Sequence, residues 1–380
     1  MPNQPTTNAM NNLLVSSSPH IRARESIPSI MWAVVAALVP AGIFGIVLYG
    51  LRAVVIILIA VGTAVLTELI IQKLRRRKMT IGDGSAVVTG LLLAYILSPG
   101  VPWFVPLVGS VFAIAIVKFC FGGLGMNIWN PALAARALVL SSWIVWMTAS
   151  WVYPTEQQIF GDLSRSGTPL VSSGRDVSKI DATTAATPRA AVKDEITLAK
   201  DADWAGWQDL KAAGDKPADW LRRIRERNKT SYVDLLIGTR GGCIGESSTI
   251  LLLLGGLFLL FRGIIRWQIP VFYIGTVALL GWALPVRFPG GTAWFAGDPL
   301  FAVMSGGLML GAFFMATDMV TSPVTRRGMI FFAIGCGVLT ALIRAYGGYP
   351  EGVNYSILLM NTAVPLIDRY IKPRKYGYVR

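Results

Sequence analysis

The chain has 380 residues, of which 53% are hydrophobic and 15% are charged, and its mean hydropathy is +0.55. Because soluble proteins carry roughly 25% charged residues, this composition excludes an ordinary soluble domain and predicts an integral membrane protein. The net charge of +14 is concentrated in short segments between apolar runs, a placement typical of membrane topology. We therefore expect no nucleic-acid partner.

The polar N-terminal segment, residues 1–29, contains no short apolar core before a small-residue cleavage site. It is predicted to be a cytoplasmic segment and not a cleaved signal peptide. Cys120, Cys243 and Cys336 stand singly in the chain, and His20 is the only histidine. Because metal and iron–sulfur sites need several such residues at close spacing, we expect neither in this chain.

About ten apolar segments are predicted to be membrane-spanning helices, since roughly 20 apolar residues are needed to cross a bilayer. They cover approximately residues 30–50, 53–73, 84–99, 103–120, 131–151, 247–262, 269–286, 299–320, 328–345 and 355–371. The predicted fold is an all-α membrane protein. Its first five-helix region spans 30–151, a long polar loop spans 152–246, a second five-helix region spans 247–371, and a tail spans 372–380.

Short basic clusters predict the orientation of the helices. Lys and Arg are concentrated at 22–24, 75–78, 262–266, 326–327 and 372–375. With an even number of helices, all of these clusters lie on one side of the membrane, which the positive-inside rule identifies as cytoplasmic. Both termini are therefore predicted to be cytoplasmic and the long loop extracytoplasmic.

The two five-helix regions share short sequence patterns. AVVTG at 86–90 opens an apolar run that ends at Ser98 and Pro99, and AVMSG at 302–306 opens one that ends at Ser322 and Pro323. Because five helices is an odd number, two such copies must have opposite orientations, which predicts an inverted repeat with ligand sites at the interface of its halves. The alternative is chance similarity between glycine-rich apolar helices.

Polar residues inside the apolar segments are candidates for function. Thr89, Asn127 and Asn130 form one group, and the alternative to a binding role for them is hydrogen bonding between helices. Glu68 and Asp318 are the acidic candidates for cation passage. Each of these carboxylates could instead form a structural ion pair with an arginine, for which Arg136 and Arg344 are the intramembrane candidates.

Glycine-rich backbone precedes the sixth predicted helix, with the sequence GCIGESS at 242–248. Free N–H groups before a helix N-terminus suit a phosphate group. Glu246 argues against a simple anion site, although its side chain could cap the helix instead. A structural role and a phosphate-binding role both remain open for this segment.

Within the long loop, DATTAATP at 181–188 is by composition a turn rich in threonine and alanine. The most specific motifs of the chain lie elsewhere: GGLGMNIWNPA at 122–132, GCIGESS at 242–248 and GAFFMATD at 311–318. With these motifs, nearly the whole chain resembles one family of membrane proteins. It comprises RnfD of the Rnf complex and NqrB of the sodium-pumping NADH:quinone oxidoreductase.

The resemblance implies two flavins. In this family FMN is joined through its phosphate to a threonine hydroxyl, and the matching motif here implies covalent FMN at Thr187, with Thr184 and Asp181 preceding it. Ala185 and Thr184 are mild departures, because many members have glycine and serine there. A second, non-covalent riboflavin is implied within the helix bundle, and the residues carried over to it are Thr89, Asn127, Asn130 and Asp298.

The implied function is electron transfer within an ion-pumping complex of a bacterial or archaeal cytoplasmic membrane. The partners implied are other Rnf subunits, among them an FMN-carrying subunit and iron–sulfur subunits, with ferredoxin and NAD as indirect partners and Na⁺ or H⁺ as the coupled ion. The short N-terminal segment favours RnfD over its quinone-reducing sibling, which has a longer extension. The alternative from another class is a flavin-free channel or transporter for small solutes.

Overall fold

The computed structural model describes residues 25–76, 79–149, 232–238, 242–246, 248–288, 291–347 and 352–372. Within these ranges the chain is mostly helical, as predicted. The helices before the long loop are α1 (Ile27–Tyr49), α2 (Leu51–Leu74), α3 (Ser85–Tyr95), α4 (Phe104–Val111) with a π-helical continuation (Phe112–Lys118), α5 (Pro131–Ser142) and α6 (Ile144–Ala149).

The second half of the chain adds helices and one small hairpin. The helices are α7 (Tyr232–Ile237), α8 (Thr249–Phe261), α9 (Gln268–Ala283), α10 (Pro299–Met304), α11 (Leu308–Leu310) with a π-helical continuation (Gly311–Met315), α12 (Arg326–Tyr346) and α13 (Val353–Tyr370). Between α9 and α10, β1 (Val286–Phe288) pairs antiparallel with β2 (Gly291–Ala293). This two-stranded hairpin is a departure from the all-α prediction.

The lengths of the helices distinguish two groups. Each of the ten predicted segments contains at least one helix, but only α1, α2 and α12 among the described residues are long and apolar enough to cross a membrane by length and composition. Several other apolar helices have 10–17 residues. The described chain is therefore mostly helical with several apolar helices, while the ten-span count and the inverted repeat stay predictions.

Two of the predicted helices are interrupted. The segment 131–151 is divided at Trp143 between α5 and α6. The single helix predicted over 299–320 is wrong, because the chain breaks between α10 and α11, where Gly306 has φ 68° and Gly307 has φ 56°. Glycine enters this left-handed region readily, and two in succession end the helix.

Arg344 of α12 satisfies the carbonyl groups that this break leaves outside the helical pattern. Its side chain is buried and donates to the carbonyl oxygens of Ala302 at 2.7 Å, Ser305 at 3.1 Å and Gly306 at 2.7 Å. Irregular backbone at membrane depth is tolerated where protein groups satisfy it. In the described part of the chain, the contacts that fix the Arg344 guanidinium at the break are these hydrogen bonds to main-chain carbonyls.

The end of α3 is closed by the glycine-rich segment that precedes α8. The predicted helix over 84–99 ends at Tyr95. The backbone N–H groups of Ile244 and Gly245 then donate to the carbonyl oxygens of Leu97 at 3.1 Å and Tyr95 at 3.0 Å. The segment therefore lies against the C-terminal end of α3, where it pairs main-chain groups that a continued helix would have paired internally.

Helices pack closely where small residues face each other and expose apolar residues elsewhere. At Gly90, an added Cβ would lie 2.7 Å from the Cα of Val61, so α2 and α3 approach each other through a glycine. Leu58 on α2 is 65% exposed and Phe331 on α12 is 67% exposed. Large apolar side chains on the outside of long helices are expected where the helices face lipid.

Candidate functional site

A cavity between the two halves of the chain is the candidate site, and we call it the interface cavity. Its volume is about 110 Å³, below the roughly 300–1,000 Å³ typical of ligand sites, so a larger ligand would have to displace lining side chains. Its apolar lining comes from both halves of the chain and includes Leu92 and Leu124 from the first half and Phe313 and Phe314 from the second. The polar residues of the lining are Ser85, Thr89, Lys118, Asn127, Asn130, Thr317 and Asp318.

Thr89 and Asn127, two of the predicted binding residues, both line this cavity. The Thr89 hydroxyl donates to the Ser85 carbonyl at 3.0 Å, and the Asn127 amide nitrogen donates to the Trp129 carbonyl at 3.0 Å. Within the described ranges, the Asn127 Oδ1 atom accepts no hydrogen bond. The lining of the cavity thus includes an amide oxygen that no described group occupies, on a residue that is 6% exposed.

Asn130 also lines the cavity, but its side chain has a clear structural role. Its Oδ1 atom accepts from the backbone N–H groups of Ala132 at 3.1 Å and Leu133 at 3.3 Å, so it caps the N-terminus of α5. Its amide nitrogen donates to the Met315 carbonyl at 3.4 Å in the other half of the chain. Asn130 therefore shapes the cavity wall and links its two sides, which is the interhelical role left open above.

Glu68 forms a buried ion pair, but with a lysine and not with an arginine. The Lys118 Nζ atom lies 2.8 Å from Glu68 Oε2 and 2.7 Å from the Ser85 hydroxyl oxygen, and the two charged side chains are 3% and 1% exposed. Gln72 donates to the other Glu68 oxygen at 2.9 Å and to the exposed Thr80 hydroxyl at 2.8 Å. A polar network thus connects the cavity wall with the end of α2.

We expect Lys118→Met to destabilise the protein more than the double variant Glu68→Gln/Lys118→Met. The single substitution leaves a carboxylate buried without its cation, a loss that typically costs about 3–5 kcal/mol, whereas removing both charges is often nearly neutral. Thermal unfolding of the detergent-solubilised chain measures the difference. Equal losses in the two variants would show that the pair contributes little beyond packing.

Asp318, the second acidic candidate for cation passage, lines the same cavity. Its carboxylate accepts from the Val320 backbone N–H at 3.3 Å and from the Thr321 hydroxyl at 3.1 Å, which closes the turn after the second π-helical segment. No arginine contacts this carboxylate in the described part of the chain. The structure therefore gives Asp318 a turn-forming role at a position that is accessible from the cavity.

Asp298, carried over with the same group of binding residues, is not part of the cavity lining. It caps α10 by accepting from the Phe301 backbone N–H at 3.0 Å. Its second oxygen accepts from the Tyr232 hydroxyl at 2.5 Å, which ties α7 to α10. The structure brings Thr89, Asn127 and Asn130 together but leaves Asp298 elsewhere.

Glu246, in the glycine-rich segment before α8, does not cap that helix. Ser248 does so, through its hydroxyl and the Leu251 backbone N–H at 3.5 Å. Glu246 instead lies 3.5 Å from the Arg136 guanidinium, as the second ion pair of the described residues. Since Ile244 and Gly245 donate their N–H groups to carbonyl oxygens at and just after the end of α3, this segment offers fewer free donors to a phosphate than its sequence indicates.

Thr187, Thr184 and Asp181 lie outside the described residues, so their assignment to covalent FMN stays a prediction. Lys118 is the charged residue of the cavity lining that the sequence analysis missed. Its signal in the sequence was a lone lysine at the end of an apolar run, which is also the usual place for an interfacial lysine. Only the tertiary contact with Glu68 distinguishes a buried cavity lysine from an ordinary lysine at the membrane interface.

Comparisons with known proteins cover almost the whole chain. The family model described as the NQR2, RnfD, RnfE family matches residues 14–377. A Clostridium ljungdahlii protein, named as the D subunit of a proton-translocating ferredoxin:NAD(+) oxidoreductase complex, is 46% identical over 97% of this chain and 97% of its own length. An Acetobacterium woodii protein named as the Na(+)-translocating counterpart is 46% identical over 97% of this chain and 96% of its own length. A Stutzerimonas stutzeri protein, named as the D subunit of an ion-translocating oxidoreductase complex, is 37% identical over 93% of both chains.

Proposed function

The chain belongs to the NQR2, RnfD, RnfE family, and from this membership we propose that it is the membrane electron-transfer D subunit of an ion-translocating ferredoxin:NAD oxidoreductase. The relatives at 46% identity, matched over 97% of this chain, are named as the D subunits of such complexes, and this observation carries the proposal. Subunits so named are parts of redox translocases. One of these two relatives is named for H⁺ and the other for Na⁺, so the proposal covers both ions.

The outer part of the proposed electron path is covalent FMN at Thr187. The family motif supports this, because its threonine stands at 187 with Thr184 and Asp181 before it. A phosphoester to a hydroxyl in a polar loop keeps a charged cofactor out of lipid, where isolated charges are costly. The flavin supplies the redox chemistry, and the chain tethers and positions it.

The inner part of the proposed path is riboflavin in the interface cavity. The residues fit an uncharged flavin: Phe313, Phe314 and Leu124 offer apolar surface to a flat ring system. The Asn127 Oδ1 atom offers an acceptor to the imide N–H at the polar edge of the ring. Thr89 and Asn130 would shape the same edge, and the walls from both halves would exclude water.

Ion coupling is proposed to involve the two acidic groups near this cavity. Asp318 lines the cavity, and Glu68 lies behind Lys118 in the polar network that reaches the exposed Thr80. A network of this kind offers a path for a cation or proton beside a redox centre. The proposed setting is a bacterial cytoplasmic membrane with both termini cytoplasmic, the loop extracytoplasmic, and FMN-carrying and iron–sulfur subunits of the Rnf complex as partners.

A flavin count on the purified chain, before and after denaturation, tests the proposal. We expect a yellow protein with two flavins per chain, one retained and one released on denaturation. Reverse-phase separation of the released fraction would identify riboflavin, and fluorescence of the denatured chain would report the covalent flavin. A colourless chain would instead favour the channel or transporter alternative.

A further inference from the structure

Lys118 presents a positive charge to the interface cavity from a fixed position. It ends the first π-helical segment, is 2% exposed and belongs to the cavity lining, whereas its partner Glu68 does not. The lysine of the ion pair therefore belongs to the cavity wall, and its carboxylate partner lies outside the lining. Ser85, which shares the lining, holds the ammonium group from a second side at 2.7 Å.

The hydrogen bonds of this ammonium group leave one proton for a ligand. A lysine ammonium has three donors, and those of Lys118 with acceptors in the described chain go to Glu68 Oε2 and the Ser85 hydroxyl. The Phe119 ring lies 5.6 Å from the nitrogen, which is a weaker contact. A donor that is buried, charged and already oriented interacts strongly with any acceptor that enters the cavity, because the surroundings screen it poorly.

The other charged group of the lining is Asp318, which opposes Lys118 in sign. Its two oxygens are occupied by the Val320 N–H and the Thr321 hydroxyl. Both oxygens of Asp318 therefore already accept hydrogen bonds from the turn. Lys118, in contrast, has a third N–H donor for which the described chain provides no acceptor. Negative charge that develops on a bound molecule is therefore favoured at Lys118 and disfavoured at Asp318.

We propose that Lys118 makes the interface cavity selective for the reduced form of its flavin, an inference that rests on the function proposed above. Oxidised riboflavin is uncharged. On accepting two electrons by way of the covalent FMN of this chain and one proton from water, it carries one negative charge on its ring system. Lys118, oriented by Glu68 and Ser85, stabilises that charge and acts as a specificity-determining residue.

The thermodynamic consequence is a difference in affinity between the two redox states. A group that binds reduced flavin more tightly than oxidised flavin raises the midpoint potential of the bound flavin by linkage. Removing the oriented pair is expected to reduce the preference for the reduced form by about tenfold, in the range typical of coupled equilibria. The change appears as a midpoint potential shifted to more negative values.

Redox titration of the purified complex, followed by visible absorption, measures this shift. The main variant is Glu68→Gln/Lys118→Met, which leaves no lone charge buried and so protects folding. We expect a more negative potential for the dissociable flavin and an unchanged potential for the covalent flavin of the same chain. Lys118→Arg retains the charge and is expected to stay near the wild type, while Asp318→Asn is expected to shift the potential in the opposite direction.

The possible outcomes separate this inference from the proposed function. A wild-type chain that releases no flavin on denaturation overturns both. A chain that releases its flavin, but whose double variant keeps the wild-type potential, overturns the role of Lys118 alone. Equal shifts of both flavins would also overturn it, because a local charge at the cavity cannot act equally on a cofactor in the loop.

Discussion

Thr187→Ala is expected to abolish covalent flavin completely while the chain still retains its dissociable flavin. Alanine lacks the hydroxyl that a phosphoester requires, and no packing change in the helical part of the chain is expected from a substitution in the polar loop. Electron transfer through the assembled complex should fall to background, because the proposed path loses its first flavin in this subunit. In-gel fluorescence of the denatured chain and ferredoxin:NAD activity of membranes provide the two measurements.

Matched substitutions in the same motif make this result specific. Thr187→Ser keeps a hydroxyl and is expected to retain at least part of the covalent flavin, whereas Thr184→Ala removes a neighbouring hydroxyl and should leave attachment at Thr187 possible. Covalent fluorescence that survives Thr187→Ala would contradict the assignment. If Thr184→Ala abolished the covalent fluorescence and Thr187→Ala did not, the attachment site would be assigned to Thr184.

Much of the helical architecture could be predicted from hydropathy, because long apolar runs in a membrane protein have few structural alternatives. The segments that became α1, α2 and α12 are of this kind. The break at Gly306 and Gly307 was not predictable in the same way, since glycine is common in continuous transmembrane helices. Arg344, from another helix, satisfies the carbonyls that the break frees, and this contact between distant segments leaves no local sequence pattern.

The candidate site was predictable only for residues whose polarity contrasts with their surroundings. Thr89 and Asn127 were identified in this way, and both line the interface cavity. Asp298 was carried over only through the family resemblance, and it lies outside the cavity, where it accepts from Tyr232, a contact across 66 residues that no local pattern encodes. Lys118 was missed for the same reason, because its role depends on Glu68, 50 residues earlier in the chain.

Arg344→Met is expected to have the largest effect on stability of any substitution considered. The arginine is 5% exposed and donates to three main-chain carbonyl oxygens at the break between α10 and α11. Each buried polar group that loses its partner costs about 1–3 kcal/mol, and whole domains are stable by only about 5–15 kcal/mol. We expect little folded protein in the membrane fraction, measured by fluorescence-detected size exclusion of a tagged chain.

The control for Arg344 is an arginine on the same helix with no such contacts to the break. Arg327, in the first turn of α12, is exposed, and Arg327→Met should leave yield and elution nearly unchanged. Arg344→Lys separates charge from geometry, because lysine keeps the charge but cannot span three carbonyl oxygens with a planar group. If Arg344→Lys were as stable as the wild type, charge alone would hold the break. If Arg344→Met were as stable as Arg327→Met, the arginine would not be needed there, and the paired glycines would suffice to form the interruption.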